Sequence, residues 1–223
     1  TSNEEVIGFI YDTEETDTDT IYSIVYPQHL IDTEMGISDS PWSSVYAETG
    51  AKYQDSFKNT LAIKLQPKWT LKYPMFSLVY NKVGEDWNMA SASDIAKIYN
   101  IMSKIGKLSG YRNDVDSFFY DFNDKIGYQY WSSTEVNEKE ALMVCGSTER
   151  LIFSVVDKAD IENYGGFAVK KLSSSSVESN GYDVKNITND TIPSFSDINI
   201  NYALYENSEI SESADGIVTL PVE

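Results

Sequence analysis

Hydrophobic and polar positions follow two rhythms along this chain. In residues 87–106, WNMASASDIAKIYNIMSKIG, apolar side chains recur at Ile95, Ile98, Tyr99, Met102 and Ile105. Spacings of three and four place them on one face of a helix. Ser91 stands where a helix cap belongs, and Asp94, three residues on, can bond back to it. Gly106 is placed to end the helix. Lys97, Lys104 and Lys107 lie in its middle and C-terminal part, where positive charge suits the helix dipole. The pattern predicts a helix over residues 92–105 that covers a sheet.

The second rhythm is that of strands. Residues 6–11 (VIGFIY) and 21–26 (IYSIVY) predict a hairpin closed by an exposed acidic loop, DTEETDTDT, at residues 12–20. Residues 61–65 read as a strand or as the end of a helix begun near Tyr53. Residues 76–80 read as strand or helix, and Phe118, Phe119 and Phe122 suggest a second short helical face. Four later segments, residues 128–134, 141–145, 151–156 and 167–172, are expected to form one mostly antiparallel sheet. Residues 146–150 are short enough for a hairpin loop. Residues 28–58 are irregular, punctuated by Gly36, Pro41 and Gly50. Trp42 and Tyr46 are expected to hold this long excursion to the body. A run of four serines, Ser173 to Ser176, marks a boundary between a main domain, residues 1–172, and a C-terminal extension, residues 173–223. The extension holds modest strand candidates at residues 182–184, 199–204 and 216–220.

Composition narrows the function classes. A chain of 223 residues with 41% hydrophobic side chains can bury a sizeable core. Sixteen tyrosines and four tryptophans suit a β-rich core with half-buried rings. The formal charge of −18 disfavours nucleic acid, whose phosphates require Lys and Arg. It also disfavours direct contact with an anionic membrane. Cys145 is the single cysteine, so no intrachain disulfide forms, which fits the cytosol or a bacterial exported protein. No apolar run is long enough to cross a bilayer. The first residue is Thr1 rather than Met, which fits a processed product whose targeting segment lies outside this chain.

No phosphate-binding loop, dinucleotide fingerprint, His-Glu zinc motif or nucleophile elbow is present. Asp12, Glu14, Asp17 and Asp19 lack the spacing and central glycine of an EF-hand, so a solvated turn is expected, with weak calcium binding at most. Asp114, Asp116, Asp121 and Asp124 read as a polar helix edge. Asp116 and Asp121 as paired catalytic acids form a weaker alternative, because nothing in the sequence fixes their separation. His29 has no ligand spacing around it. Cys145 sits in an apolar run and reads as a small hydrophobe. No catalytic residue, metal ligand or cofactor is assigned.

Tyr130 to Glu135, YWSSTE, has the aromatic enrichment of a strand. Tyr130 and Ser132 should face one way, Trp131 and Ser133 the other. One ring is expected to pack into the core against the helix. Ser132, Ser133 and Thr134 are expected to bond backbone groups that long loops leave unpaired. Glu135 is expected to take a salt bridge or a loop amide.

Together with VIGFIYDTEETDTDTIYSIV, with WNMASASDIAKIYN opening at Trp87, and with FAVKKL, this motif resembles a group of bacterial exported domains with a C-type-lectin-like fold. They are relatives of the DUF1566 domain and, more distantly, of the formylglycine-generating enzyme fold, and are common in surface lipoproteins of gut Bacteroidetes. The matches span about residues 5–172. Ala90 stands where the family usually has proline, Asp94 where it has glutamate, and Lys170 where arginine is common. The catalytic cysteines of the formylglycine-generating branch and the calcium motifs of animal lectins have no counterpart. The resemblance implies an α+β domain with a central antiparallel sheet, one or two packed helices, long loops and a C-terminal strand-containing extension. It implies an extracellular or cell-surface location, with tethering only through a lipid anchor outside this chain. Its expected function is non-catalytic binding or adhesion to a glycan or protein, with Trp42, Tyr46, Tyr53, Trp69 and Tyr111 as the contact surface. The alternatives are a structural spacer or assembly module and, far behind, the paired-carboxylate hydrolase.

Overall fold

The structure, a computed structural model, describes residues 7–26, 40–105, 129–146, 151–160, 164–180, 182, 184 and 217–219. The first described elements are strands β1 (Phe9–Glu15) and β2 (Thr20–Val25), paired antiparallel as the alternation predicts. Both strands continue into the acidic stretch, so the turn shrinks to residues 16–19. The register shifts between Ile10 and Asp12, leaving Tyr11 as the extra residue of a bulge. Tyr11 is buried, and its hydroxyl donates to Asp94 Oδ1 at 2.8 Å.

Three helices follow: α1 (Ser56–Lys64), α2 (Trp69–Lys72) and α3 (Pro74–Lys82). Asp55 caps α1 by accepting from the Lys58 amide at 3.0 Å, and Pro74 opens α3 where its missing N–H costs nothing. Residues 61–65 and 76–80, ambiguous in sequence, are thus helical except for Leu65, the C-cap of α1.

The two-residue strand β3 (Asn88–Met89) leads into α4 (Ala92–Ile105), the helix that the periodicity predicts. Ile95, Ala96, Ile98 and Tyr99 are buried. The cap is reciprocal. The Asp94 amide donates to Ser91 Oγ at 3.2 Å, and the Ser91 amide donates to Asp94 Oδ2 at 2.9 Å. Gly106 and Lys107 lie outside the described residues, as do His29, Phe118, Phe119, Phe122 and the four aspartates at 114, 116, 121 and 124.

The remaining elements are β4 (Gln129–Glu135), β5 (Glu140–Gly146), β6 (Leu151–Asp157), β7 (Tyr164–Gly165), β8 (Ala168–Ser173), helix α5 (Ser174–Ser179) and β9 (Ile217–Thr219). Two sheets result. One has the order β1-β2-β8-β3, the other β7-β4-β5-β6-β9. Among the described residues, all pairings are antiparallel except β4 with β7. One expectation is corrected here: the four late segments do not share a sheet. Residues 168–173 leave the other three and pair with β2 instead. Within the chain's last fifty residues, β9 extends the second sheet beside β6.

Helix α4 packs on β1 of the first sheet and on β4 and β5 of the second. Helix α1 likewise touches β3 and β4. The core gathers Trp42, Tyr73, Met75, Phe76, Trp87, Met89, Trp131 and Met143. The serine run opens a helix: Ser173 caps α5, accepting from the Ser176 amide at 3.1 Å. Among the described residues no helix is long and apolar enough to cross a membrane.

Candidate functional site

Every residue from Tyr130 to Glu135 is buried, on both faces of β4. Tyr130 stacks on Phe167 with ring centroids 4.4 Å apart, while Trp131 enters the main core. The register of β4 against β5 slips between Trp131 and Glu135, so backbone groups there lose their strand partners. Side chains and loops take over. Ser132 Oγ accepts from the Thr134 amide at 3.2 Å and donates to Leu142 O at 2.9 Å. The Ser133 amide donates to Ala90 O at 2.7 Å, and the Glu135 amide to Ala51 O at 2.8 Å. Thr134 Oγ1 accepts from the Ala92 amide at 3.2 Å. This motif therefore fastens the start of α4 and the loop over residues 40–55 to the strand.

Glu135 completes the fastening. Its carboxylate accepts from the Thr49 amide at 2.9 and 3.0 Å, from the Gly50 amide at 3.0 Å, and from Lys158 Nζ at 2.5 Å. Gly50 adopts φ +79°, the left-handed conformation that glycine takes without strain, as two successive amides aim at one carboxylate. Lys158 also donates to Ala47 O and Glu138 O, at 3.0 and 3.1 Å, and lies 4.7 Å from the Trp42 ring centroid. Burial holds its ammonium below the usual lysine range, and the Glu135 hydrogen bond partly offsets this. Lys158 carried no sequence signal, because a lone lysine after a strand reads as surface.

Trp42 belongs to this node and not to a ligand surface. It is fully buried, its indole donates to Ser132 O at 2.8 Å, and its ring meets Phe76 and Tyr73 edge-on at 5.1 and 5.9 Å. Burial of so large a ring contributes a few kcal/mol to holding the loop down. Trp69 is half-buried against Tyr80, edge-on at 5.3 Å. Trp87 is buried edge-on to Tyr26 at 5.4 Å. Tyr46 is 52% exposed, and its hydroxyl donates to Asp157 at 2.9 Å. Tyr53 is 50% exposed beside the start of α1, with Lys58 Nζ 5.6 Å from its ring centroid. Tyr111 lies outside the described residues. Of the four described aromatics expected to make contacts, Tyr46 and Tyr53 present the most surface.

Helix α1 adds what the sequence reading missed. Its buried residues are Ser56, Asn59, Thr60 and Ile63, three of them polar. Two of these polar side chains fasten neighbouring backbone. Asn59 accepts from the Tyr53 amide at 2.8 Å and donates to Tyr53 O and Ser133 Oγ at 2.7 and 3.1 Å. Thr60 Oγ1 accepts from the Met89 amide at 3.2 Å. Larger apolar residues of this segment face outward instead: Phe57 is 58%, Leu61 44% and Leu65 74% exposed. At about 100° per residue these three fall within roughly 80° of one another, with Lys58 and Lys64 on either flank. Leu71, on α2, is equally bare at 74%. Scattered exposed leucines are ordinary, but a stripe on a helix whose polar side is buried is not.

No protein-family profile and no curated protein matches the chain. The functional reading therefore rests on the site's own chemistry.

Charge separates this region from the rest of the molecule. Residues 51–82 contain six lysines and one aspartate, a local charge of +5, so the other residues sum to −23 within the total of −18. Lys64 is engaged with Glu85 O at 2.7 Å and lies 5.5 Å from the Tyr80 ring centroid, and Lys52 pairs with Glu48 at 2.5 Å. Among the described residues the ammonium groups of Lys58, Lys68 and Lys72 have no carboxylate partner. Lys68 adopts φ 58° and ψ 38°, a left-handed conformation that costs a side-chain-bearing residue about 1 kcal/mol. Two acidic groups elsewhere are in structural service: Asp12 pairs with Lys97 at 2.7 Å, and Asp86 with Lys170. Among the described residues no three His, Cys, Asp or Glu side chains cluster as metal ligands do.

Proposed function

We propose that this chain is a non-catalytic binding module of a bacterial cell surface, built on a C-type-lectin-like fold, with α1 and α2 as its contact face. The observation that carries the reading is the inverted helix. Asn59 and Thr60 are buried to fasten the neighbouring backbone, and Phe57, Leu61 and Leu65 are left outside. The hydrogen bonds of Asn59 and Thr60 offset their burial, while the exposed apolar side chains forgo the stabilisation that burial would bring, which a contact made through that face supplies. The fold assignment draws support from α4 following its capping box and from the YWSSTE strand to which the long loop is fastened. Export from the cell fits a chain that carries a single cysteine.

The alternative of a spacer gives no reason for an apolar stripe rimmed by lysines, whereas an assembly module would bury it against a neighbouring subunit. The test is binding to glycan arrays with and without calcium, together with capture from cell-surface extracts that retain their membranes. The double variant Phe57→Ser/Leu65→Ser is run beside the parent, with thermal melts as a check on folding. Binding by the parent that the variant loses supports the reading. Failure of the parent to bind anything, or equal binding by the variant, overturns it.

A further inference from the structure

The charge of the contact face points to a partner that the total charge argues against. We infer that the α1–α2 face docks on an anionic lipid bilayer. The inference rests on the contact face proposed above and names what it contacts.

The stripe has the chemistry of an interfacial helix. Phe57, Leu61 and Leu65 run along about 12 Å of α1 and its C-cap, two turns and a little more. Such a helix lies in the plane of the interface, its apolar side chains entering the acyl boundary and its lysines reaching the headgroups. Lys58 flanks the stripe directly, and Lys68 and Lys72 follow at the two ends of the next helix. Their long stems let the ammonium groups reach phosphate while the stems lie on the apolar surface. Leu65 and Leu71, the barest leucines of the described residues, stand among these lysines.

A net charge of −18 would repel an anionic surface if it were spread evenly. It is not. Residues 51–82 carry +5, and screening at physiological ionic strength confines electrostatics to about 8 Å. Glu48 pairs with Lys52, and Glu85 and Asp86 stand near Lys64, so the charges that a bilayer touching this face senses first are those of Lys58, Lys68 and Lys72. Each lysine brought against an anionic leaflet strengthens binding roughly fivefold. A polypeptide groove would also accept a convex apolar stripe; the lysines that border this one without a carboxylate partner among the described residues, Lys58, Lys68 and Lys72, favour the anionic bilayer.

The test is cosedimentation of the full chain with vesicles of phosphatidylcholine, alone or with about one-quarter phosphatidylglycerol. It is run at about 50 and about 500 mM salt, between which the screening length falls roughly threefold. The expected result is binding to the anionic vesicles, at least about tenfold weaker to the neutral ones and weakened by salt. Phe57→Ser/Leu65→Ser and Lys58→Gln/Lys72→Gln should each weaken it by about tenfold or more, with unchanged melts. A Phe57→Trp variant should show a blue shift of emission, beyond that of the parent, on anionic vesicles only. Absence of binding to anionic vesicles, equal binding by the variants, or no added blue shift in the Phe57→Trp variant overturns the inference. If vesicles fail while extract capture still depends on Phe57 and Leu65, the contact face stands and its partner is a polypeptide or glycan. If both fail, the contact face falls too.

Discussion

Lys158 Nζ lies 2.5 Å from Glu135 Oε1, and neither side chain is exposed to solvent. The pair joins the end of β6 to the end of β4, and through Thr49 and Gly50 it clamps the loop that carries Trp42 and Tyr46. Two buried charges are tolerated because both are well hydrogen-bonded, not because the pair is intrinsically stabilising.

Removing one partner should therefore cost more than replacing both. Glu135→Gln leaves the Lys158 ammonium without its counter-charge and is expected to destabilise by about 3–5 kcal/mol. Lys158→Met should cost less, since Glu135 keeps its two amide donors. Urea unfolding of the two variants and the double variant reads the coupling; strictly additive losses would show that the pair acts as two separate groups.

Asn59 is the polar pivot under the contact face. Asn59→Ala should destabilise by about 2 kcal/mol, because the Tyr53 amide and carbonyl both lose the partner that Asn59 supplies. Chemical denaturation measures it. A change below about 0.5 kcal/mol, the range of surface substitutions, would mean that solvent replaces the side chain.

Trp131 is fully buried in the core beside β5. Trp131→Ala should cost about 3–5 kcal/mol as lost burial and a residual cavity. A thermal melt identical to the parent's would contradict the packing.

Asp19 links the first hairpin to α5. Hydrogen bonds from Ser174, then Ser175, hold its carboxyl down to about 2, against an ordinary 3.8. A carboxyl with a depressed folded value stabilises fully above its unfolded value and loses that contribution as pH falls through its folded one. The gap in melting temperature between the parent and Asp19→Asn should be open at neutral pH and should close between about pH 4 and pH 2. A gap independent of pH would show that Asp19 acts through packing alone.

Lys68 sits in a conformation suited to glycine. Lys68→Gly should raise stability by up to about 1 kcal/mol by relieving that strain, partly offset by the freer unfolded chain. The same change should weaken binding to anionic vesicles. Greater stability with undiminished binding would remove Lys68 from the contact face.

Much of the fold was legible in the order of residues. The 3.6-residue period over 92–105 and the Ser91–Asp94 pair specify α4 locally, because a cap and an apolar face need only neighbours in sequence. The first hairpin, the three strands of the second sheet between residues 129 and 157, and the Glu135 contact with loop amides follow from alternation and from the need to satisfy buried backbone groups. Helix α1 was legible only as one of two readings of residues 61–65, since LAIKL alternates like a strand and the inward face of the helix is polar. Trp42 reads both as an anchor of the loop, which its burial bears out, and as a contact aromatic, which its burial opposes: in a loop, an aromatic that anchors and one that binds have the same sequence context.

The mixed α+β character, the capped helix and the total charge were settled by the order of residues alone, because each is a property of near neighbours or of a sum over the chain. Folding in three dimensions chose which sheet receives residues 168–173, which loop covers Glu135 and Lys158, and which side of α1 meets solvent. Those choices depend on partners far apart in sequence: Asn59 with Ser133, Trp42 with Ser132, and Lys158 with Glu135. By turning the polar side of α1 inward, they set an apolar stripe outward among the lysines of residues 51–82, an arrangement that a sum over the chain conceals.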